Sequence, residues 1–179
     1  MSLATKTLQM LQDKKVFANI YDDSHDTNIV GFVRKFNDEF LLLDSYNTDG
    51  YYDGIVIFRR GFISRIEWDN NKTINIEKLL DTRKAAKEVA SVKLDSIQQI
   101  LKTVSKAYSC ITVLMEDVDD EDSFIGQITA MDKTTVVMHE LGPKATMDRG
   151  MLMFSINDIT RVEAGSIYER SLLRVHGVK

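Results

Sequence analysis

The stretch Gly54-Ile-Val-Ile-Phe58, followed by Ile63-Ser-Arg-Ile-Glu67, decides the fold of this chain, because the same pattern returns 96 positions later. The second copy reads Gly150-Met-Leu-Met-Phe154 and Ile159-Thr-Arg-Val-Glu163. Over the fourteen positions from 54 to 67, five residues are identical in the two copies and five more are conservative exchanges. Typical residue frequencies give about one identity in fourteen positions by chance. The chain is therefore built from two copies of one module.

The two copies continue to correspond further upstream, where the offset is 95. Gly31 corresponds to Gly126, and Asn37 corresponds to Asp132. A difference of one residue in the loop that follows accounts for the change of offset. The repeat therefore extends well beyond the stretch that first revealed it.

Each copy is predicted to form the same five strands, because short runs rich in β-branched and aromatic residues alternate with turn residues. A glycine lies inside the second strand of each copy, where a small sheet can bend. Five short bent strands in so few residues favour a small barrel, since closure removes exposed edges. The predicted strands are 15–21, 28–36, 40–45, 55–59 and 62–68 in copy one, and 109–115, 124–131, 135–141, 151–155 and 159–163 in copy two.

A helix is predicted before each set of strands. Helical spacing of leucines indicates one over 4–13, and Asp95 with Gln98 resembles a capping box that begins another. A third, basic helix over 76–90 is predicted to link the modules and to pack its apolar stripe on them. The expected fold is mainly β, with two five-stranded bent-sheet barrels, each preceded by a helix. The predicted division is residues 1–75 for module 1, 76–92 for the linker and 93–179 for module 2.

The composition excludes several classes of protein. The net charge is −4, with +3 over residues 76–107 and −5 over 108–179, which is unlike a protein that coats nucleic acid by charge alone. The apolar runs are far shorter than the roughly 18 residues of a membrane span. The single cysteine, Cys110, cannot form an internal disulfide, so a cytoplasmic protein without membrane contact is the simplest inference.

The apolar runs Ile55–Phe58 and Met151–Phe154 predict how modules join. Neither run alternates with polar residues, so both strands are expected to be buried on both faces. Two modules in tandem leave one free strand edge at each end, and free edges must be covered. We therefore expect a homo-oligomer, in which chains join head to tail into a closed ring, or a terminal segment that caps the edges.

These motifs resemble those of the Sm-like family. The stretch from Gly31 to Asp44 is similar to the first Sm motif, and Ile57-Phe-Arg-Arg-Gly-Phe-Ile63 is similar to the second. The resemblance implies rings formed by pairing a fourth strand with a neighbour's fifth strand, and single-stranded RNA bound around a central pore. By the same resemblance, Asn37 falls at the acidic-turn position of the RNA site, and Arg60 and Gly61 fall at its Arg-Gly turn.

The chain also departs from the RNA-binding pattern. Ile156-Asn157 stands where copy two should carry Arg-Gly, and Phe40 or Leu41 stands where copy one should carry a base-contacting Asn. Two hypotheses follow. The protein is an Sm-like binding and assembly protein that holds single-stranded RNA through module 1, or it is a protein–protein scaffold with a degenerate RNA pocket.

Three further residues complete the predicted RNA-binding surface. Arg59, beside Arg60, can meet phosphate or stack on bases, although a solvated strand end is the alternative. Tyr51 and Tyr52 lie in a loop rich in Asn, Asp and Gly, where they can stack bases or anchor a protein partner. Their alternative role is to cover the open end of the barrel.

A metal-dependent enzyme is the third and least favoured hypothesis. The acidic segments 22–26 and 116–122 carry the oxygen ligands of a divalent cation, but they lack the glycine and terminal Glu of an EF-hand. No nucleophile–base motif or phosphate-binding glycine loop is present in the sequence. The sequence therefore predicts no catalytic residue, no metal site, no cofactor and no enzymatic activity.

Overall fold

The computed structural model describes residues 1–22, 28–80, 91–115, 123–142 and 150–177. The chain divides into two compact units, Met1–Lys87 and Glu88–Lys179. Within the described residues each unit contains one helix followed by five antiparallel strands, together with one further helix. The prediction of a mainly β fold is therefore confirmed.

Unit 1 opens with helix α1 (Leu3–Asp13), which begins at Ser2 because the Ser2 side chain accepts a hydrogen bond from the Thr5 N–H. The five strands that follow pair in the linear order β5-β1-β2-β3-β4, all antiparallel. Closure into a barrel is not confirmed, because this hydrogen-bonded order is open and β5 has β1 as its neighbour within the unit. The strands are β1 (Phe17–Asp22), β2 (Asn28–Phe36), β3 (Phe40–Tyr46), β4 (Tyr52–Arg59) and β5 (Ile63–Trp68).

One face of the unit 1 sheet forms a core with α1. Alternate residues of a strand point to one face, and here those residues are aliphatic or aromatic and meet the apolar stripe of the helix. The burial of this stripe, more than helix propensity, stabilises an eleven-residue helix. The buried cluster comprises Leu8, Leu11, Ala18, Ile20, Val33, Leu41, Leu43, Val56 and Phe58.

The second helix of unit 1, α2 (Asn71–Leu79), corrects the predicted linker helix. It begins five residues before the predicted start at 76, because Asn70 and Thr73 form a capping box. Ile76 is buried against Phe17 and Val30 on the opposite face of the sheet, so α2 belongs to unit 1. The remainder of the predicted helix, residues 81–90, lies outside the described residues.

Unit 2 repeats this order. Helix α3 (Ile97–Ala107) begins at Ser96, whose side chain accepts from the Gln99 N–H, so the predicted cap at Asp95 is wrong by one residue. The strands pair antiparallel in the order β10-β6-β7-β8-β9. They are β6 (Ile111–Met115), β7 (Ser123–Met131), β8 (Thr135–Glu140), β9 (Met151–Ser155) and β10 (Ile159–Ala164).

A last helix, α4 (Ile167–Val175), is absent from the sequence predictions. Ser166 and Glu169 form its capping box, a signal that the sequence carries openly. Glu169 is buried, and its carboxylate also accepts a hydrogen bond of 2.7 Å from the Thr112 hydroxyl on β6. Burial raises the pKa of Glu169, while these hydrogen bonds oppose the rise.

The two units share one close contact between neighbouring main chains, which joins β2 to β3 in unit 1 and β7 to β8 in unit 2. A Cβ atom on Gly31 would lie 1.9 Å from the carbonyl oxygen of Asp44, and one on Gly126 would lie 2.2 Å from that of His139. Both pairs are related by the offset of 95, and both strands shift register two residues further on. Only glycine permits this close approach of two main chains.

We predict that Gly31→Ala lowers the free energy of unfolding by about 1–3 kcal/mol. The added methyl group would clash with the main-chain carbonyl of Asp44, which is held in place within β3. Gly61→Ala is the matched control, since a Cβ atom there meets nothing within 4 Å, and we expect a change within about 0.5 kcal/mol. Urea denaturation of the two variants checks this. Equal effects of the two substitutions would contradict the close approach.

Candidate functional site

Asn37 shapes the turn between β2 and β3. Its side-chain oxygen accepts hydrogen bonds from the backbone N–H groups of Glu39, at 2.9 Å, and Phe40, at 2.7 Å. Its own N–H donates to the Phe40 carbonyl at 2.9 Å. The sequence predicted this residue as an RNA contact, and the structure places its side-chain oxygen in the turn itself.

Arg60 lies against this turn. One of its terminal nitrogens (Nη1) donates to the Asn37 carbonyl at 2.5 Å, and its backbone N–H donates to the Glu39 carbonyl at 2.8 Å. Its guanidinium carbon is 6.0 Å from the centre of the Phe36 ring, the outer limit of a cation–π contact. Gly61 follows in a short 3-10 turn and is exposed. The structure thus brings together Asn37, Arg60 and Gly61, with Phe36 beside them; we call this group the Asn37 end.

Unit 2 builds the same turn without the arginine. The Asp132 carboxylate accepts from the N–H groups of Thr134 and Thr135, each at 2.8 Å, and these bonds lower the pKa of Asp132. The N–H of Ile156 donates to the Thr134 carbonyl as that of Arg60 donates to Glu39. Ile156 is buried and carries no charge, so the cationic group at this place belongs to unit 1 alone.

The remaining predicted RNA contacts divide between the two ends of β4. Arg59 pairs in register with Phe40 and so lies at the Asn37 end, whereas Tyr52 pairs with Tyr46 at the start of the strand. The strand has eight residues, so its two ends lie roughly 23 Å apart. The Tyr52 ring packs edge-on against Tyr46 at 5.6 Å, and Tyr51 is 46% exposed. The two tyrosines therefore do not share a site with Arg60.

A half-buried ion pair lies beside Tyr46 on the face that α2 covers. The Arg34 guanidinium donates to both carboxylate oxygens of Asp44, with its Nε 2.8 Å from one of them. Burial raises the pKa of Asp44, and the Arg34 charge opposes this. The Tyr46 ring also packs against those of Phe17 and Phe32, at 5.9 and 5.7 Å. The charges pair with each other and the rings pack together, so these contacts stabilise the sheet.

The fourth strands of the two units differ in exposure, a feature that the sequence did not reveal. Ile55 and Ile57 on β4 are 0% and 1% exposed, as predicted for a strand buried on both faces. The corresponding residues of β9, Met151 and Met153, are 61% and 76% exposed, so the same prediction for β9 is wrong. We call these two methionine side chains the β9 face.

The fifth strands show the reverse. Arg161 on β10 is 4% exposed and its Nε lies 2.9 Å from Glu163. The corresponding Arg65 on β5 is 60% exposed, and its Nε lies 3.0 Å from Glu67. The two ion pairs are equivalent in sequence and geometry, and they differ in burial. Arg65 and Glu67 form what we call the β5 face.

No group of three or more His, Cys, Asp or Glu side chains could hold a metal ion within residues 1–22, 28–80, 91–115, 123–142 and 150–177. The predicted acidic segment 116–122 lies outside those ranges, as do residues 23–26 of the other. Nor does any helix in the described parts of the chain have the length and apolar character that a membrane crossing requires.

We expect Asn37→Ala to lower the free energy of unfolding by about 1–2 kcal/mol, because two backbone N–H groups lose their acceptor. Asn37→Asp should remain within about 0.5 kcal/mol of the parent, since Asp132 accepts the equivalent bonds in unit 2. Chemical denaturation followed by Trp68 fluorescence measures both. An unchanged stability for the alanine variant would show that the turn does not depend on this oxygen.

Comparison of the chain with protein-family models, with curated proteins and with solved structures finds no match. The two units can still be compared with each other. Because they share strand order and turn geometry, a residue exposed in one unit can be judged against its equivalent in the other. The β9 face and the β5 face are the surfaces whose exposure differs in this way between the copies.

Proposed function

We propose that this protein is a non-enzymatic, cytoplasmic Sm-like binding and assembly protein, whose copies join head to tail by pairing β9 of one chain with β5 of the next. One observation carries the proposal. The module carries one surface on its fourth strand and another on its fifth strand. Each of these surfaces occurs once in each unit, and it is more exposed in one unit than in the other. The exposed copies are the β9 face on unit 2 and the β5 face on unit 1.

The β9 face is an apolar surface on the edge of a sheet, as is typical of a surface that a partner covers. Met151 and Met153 lie on an edge strand, because β9 pairs with β8 on one side and with no other described strand of the unit. An apolar edge strand in water is a pairing site unless charge, proline or a covering segment protects it. Their equivalents Ile55 and Ile57 are buried in unit 1, so apolar side chains at these positions of the module can be fully covered. A strand from another copy, paired with β9, would remove the methionine side chains from water and form hydrogen bonds with the backbone groups at this edge.

The β5 face offers a preorganised partner. The Arg65 guanidinium carbon lies 3.7 Å from the centre of the Tyr21 ring, and the Tyr21 hydroxyl donates to Glu67 at 3.0 Å. These contacts hold Arg65 and Glu67 in one arrangement before any partner arrives, which reduces the entropy lost on binding. The equivalent pair on β10 keeps the same arginine-to-carboxylate contact although its arginine is buried. A surface of this kind therefore tolerates being covered.

The pairing of β9 with β5 joins two different surfaces, so the contact is heterologous. A heterologous contact closes into a ring where the rotation between copies permits it, and otherwise continues as an open chain. This mode also separates the proposal from a symmetric dimer, in which each surface would meet its own copy. The distinction can be tested with edge variants that block one surface at a time.

We expect Met153→Lys, which places a charge on β9, and Arg65→Glu, which sets two carboxylates side by side on β5, each to give a monomer in light scattering, whereas the parent chain assembles. A mixture of the two variants should form a dimer and nothing larger, because one intact β9 meets one intact β5 and both remaining edges are blocked. Val175→Lys is the control for an added charge, since Val175 is 59% exposed and lies on α4 rather than on β9 or β5.

Three outcomes would count against this assembly. A parent chain that stays monomeric at high concentration removes it outright. Assembly by either single variant alone indicates contacts between like surfaces. A mixture that remains monomeric shows that the two faces do not recognise each other. Circular dichroism of each variant checks that the sheet is intact, because a misfolded variant would also fail to assemble.

A second candidate function is binding of single-stranded RNA at the Asn37 end. It is supported by the position of Arg60, which brings a cationic side chain and the open surface of Gly61 beside Asn37 and Phe36. A guanidinium with an aromatic neighbour can contact a phosphate or stack on a base. The alternative is the protein–protein scaffold alone, with this end serving only as a turn.

Binding of poly-U or poly-A RNA to the whole chain tests the candidate. We expect affinity that falls as salt rises, because phosphate contacts release counterions, and a loss of at least tenfold in Arg60→Ala. Arg174→Ala, an exposed arginine on α4, is the control for charge alone. Absence of binding at low salt would leave the scaffold as the function of the protein. Equal losses in both arginine variants would indicate binding without a site.

A further inference from the structure

We propose that Met151 and Met153 form a redox-sensitive modification site, at which oxidation by a peroxide to methionine sulfoxide prevents β9 from pairing with a second copy. This inference rests on the assembly proposed above. It adds a chemical means of regulation that the pairing alone does not contain. The observation behind it is that the pairing surface of unit 2 is made of two exposed thioethers, whereas the equivalent surface of unit 1 contains no oxidisable group.

Exposure distinguishes these two methionines from others in unit 2. Met153 is 76% and Met151 is 61% exposed, whereas Met138 and Met115 are 0% and 4% exposed. Oxidation requires contact between the thioether sulfur and the oxidant, so the two exposed side chains should react well before the two buried ones. The buried pair therefore provides an internal reference within the same unit.

The chemistry needs only a hydroperoxide. The thioether sulfur attacks one peroxide oxygen, a sulfur–oxygen bond forms, and the oxygen–oxygen bond breaks. The second peroxide oxygen leaves with the electron pair of the broken bond and takes the proton of the transferred oxygen, so one water molecule is released and the sulfur is oxidised by two electrons. The product is a polar, chiral sulfoxide, and methionine sulfoxide reductases reverse the change.

The sulfoxide would oppose pairing because of where these positions go when the strand is covered. The equivalent Ile55 and Ile57 are at most 1% exposed, so a covered fourth strand leaves almost no access to water. A sulfoxide oxygen carried into such a place loses its hydrogen bonds to water, which is costly unless a new donor is found. In the free chain the same oxygen stays solvated, so oxidation favours the separate chains.

Unit 1 itself suggests the matched variant. Replacing both methionines with the isoleucines of unit 1, as Met151→Ile with Met153→Ile, keeps the surface apolar, suits a strand and removes both sulfur atoms. Met1, 85% exposed, and Met147, outside the described residues, remain in parent and variant alike. Any difference between the two proteins after oxidation is therefore due to β9.

The experiment treats the full-length parent and the double isoleucine variant with hydrogen peroxide and then measures particle mass by light scattering and sulfoxide content by peptide mass spectrometry. We expect the parent to gain one oxygen at each β9 methionine and to fall in mass at least twofold toward the 20.4 kDa chain. The isoleucine variant should keep its mass, and a sulfoxide reductase should restore assembly of the parent. If the isoleucine variant fails to fold, the Met151→Leu, Met153→Leu variant takes its place.

Several results would overturn the inference. Oxidised β9 methionines with unchanged particle mass would show that sulfoxide is tolerated in the pairing, and equal dissociation of the isoleucine variant would place the sensitive site elsewhere. Oxidation of Met153 at one rate across all protein concentrations would show that assembly does not cover it. An untreated parent that is monomeric at every concentration would instead defeat the proposed assembly itself, and the inference with it.

Discussion

The close approach of two main chains at Gly31, repeated at Gly126, is the constraint on which the structure of each unit depends. A carbonyl oxygen of the neighbouring strand occupies the space that a Cβ atom would need, so neither position accepts a side chain. Both second strands shift register two residues later, and in unit 1 Val33 before the shift and Phe36 after it both pack into the core that contains α1. The alternation of faces, and with it the core of the unit, follows from that local geometry.

On this shared framework the two units present different surfaces. The turn between the second and third strands is built alike by Asn37 and Asp132, but only unit 1 adds an arginine to it. The fourth strand is buried in one unit and exposed in the other, and the fifth strand shows the opposite pattern. Duplication has therefore kept the main-chain hydrogen bonds, while the side chains at the ends and edges have diverged.

Much of the framework could be predicted from the sequence, because the repeat states each strand twice. Strands 28–36 and 151–155 have the predicted bounds, and the rest differ by a few residues. The helices were harder, since Asn70 and Ser166 are turn residues as well as caps, and only the structure decides between the two roles. The exposure of the Met153 side chain could not be predicted from the sequence. Hydrophobic periodicity indicates that a strand is apolar, but it does not show whether another element covers that strand. For the same reason the type of residue at Asn37 indicated a contact but left open whether the partner was a base or the adjacent backbone.

The paired charges on β5 have a consequence for ionic strength. Arg65 and Glu67 neutralise each other before any partner arrives, so covering them removes a pair with no net charge and releases few counterions. Contact between copies through this strand should then vary little with salt, whereas contact between Arg60 and a polyanion should weaken steeply. Binding at the β5 face thus depends mainly on the water that it excludes, whereas binding of a polyanion at Arg60 depends mainly on the ions that it displaces.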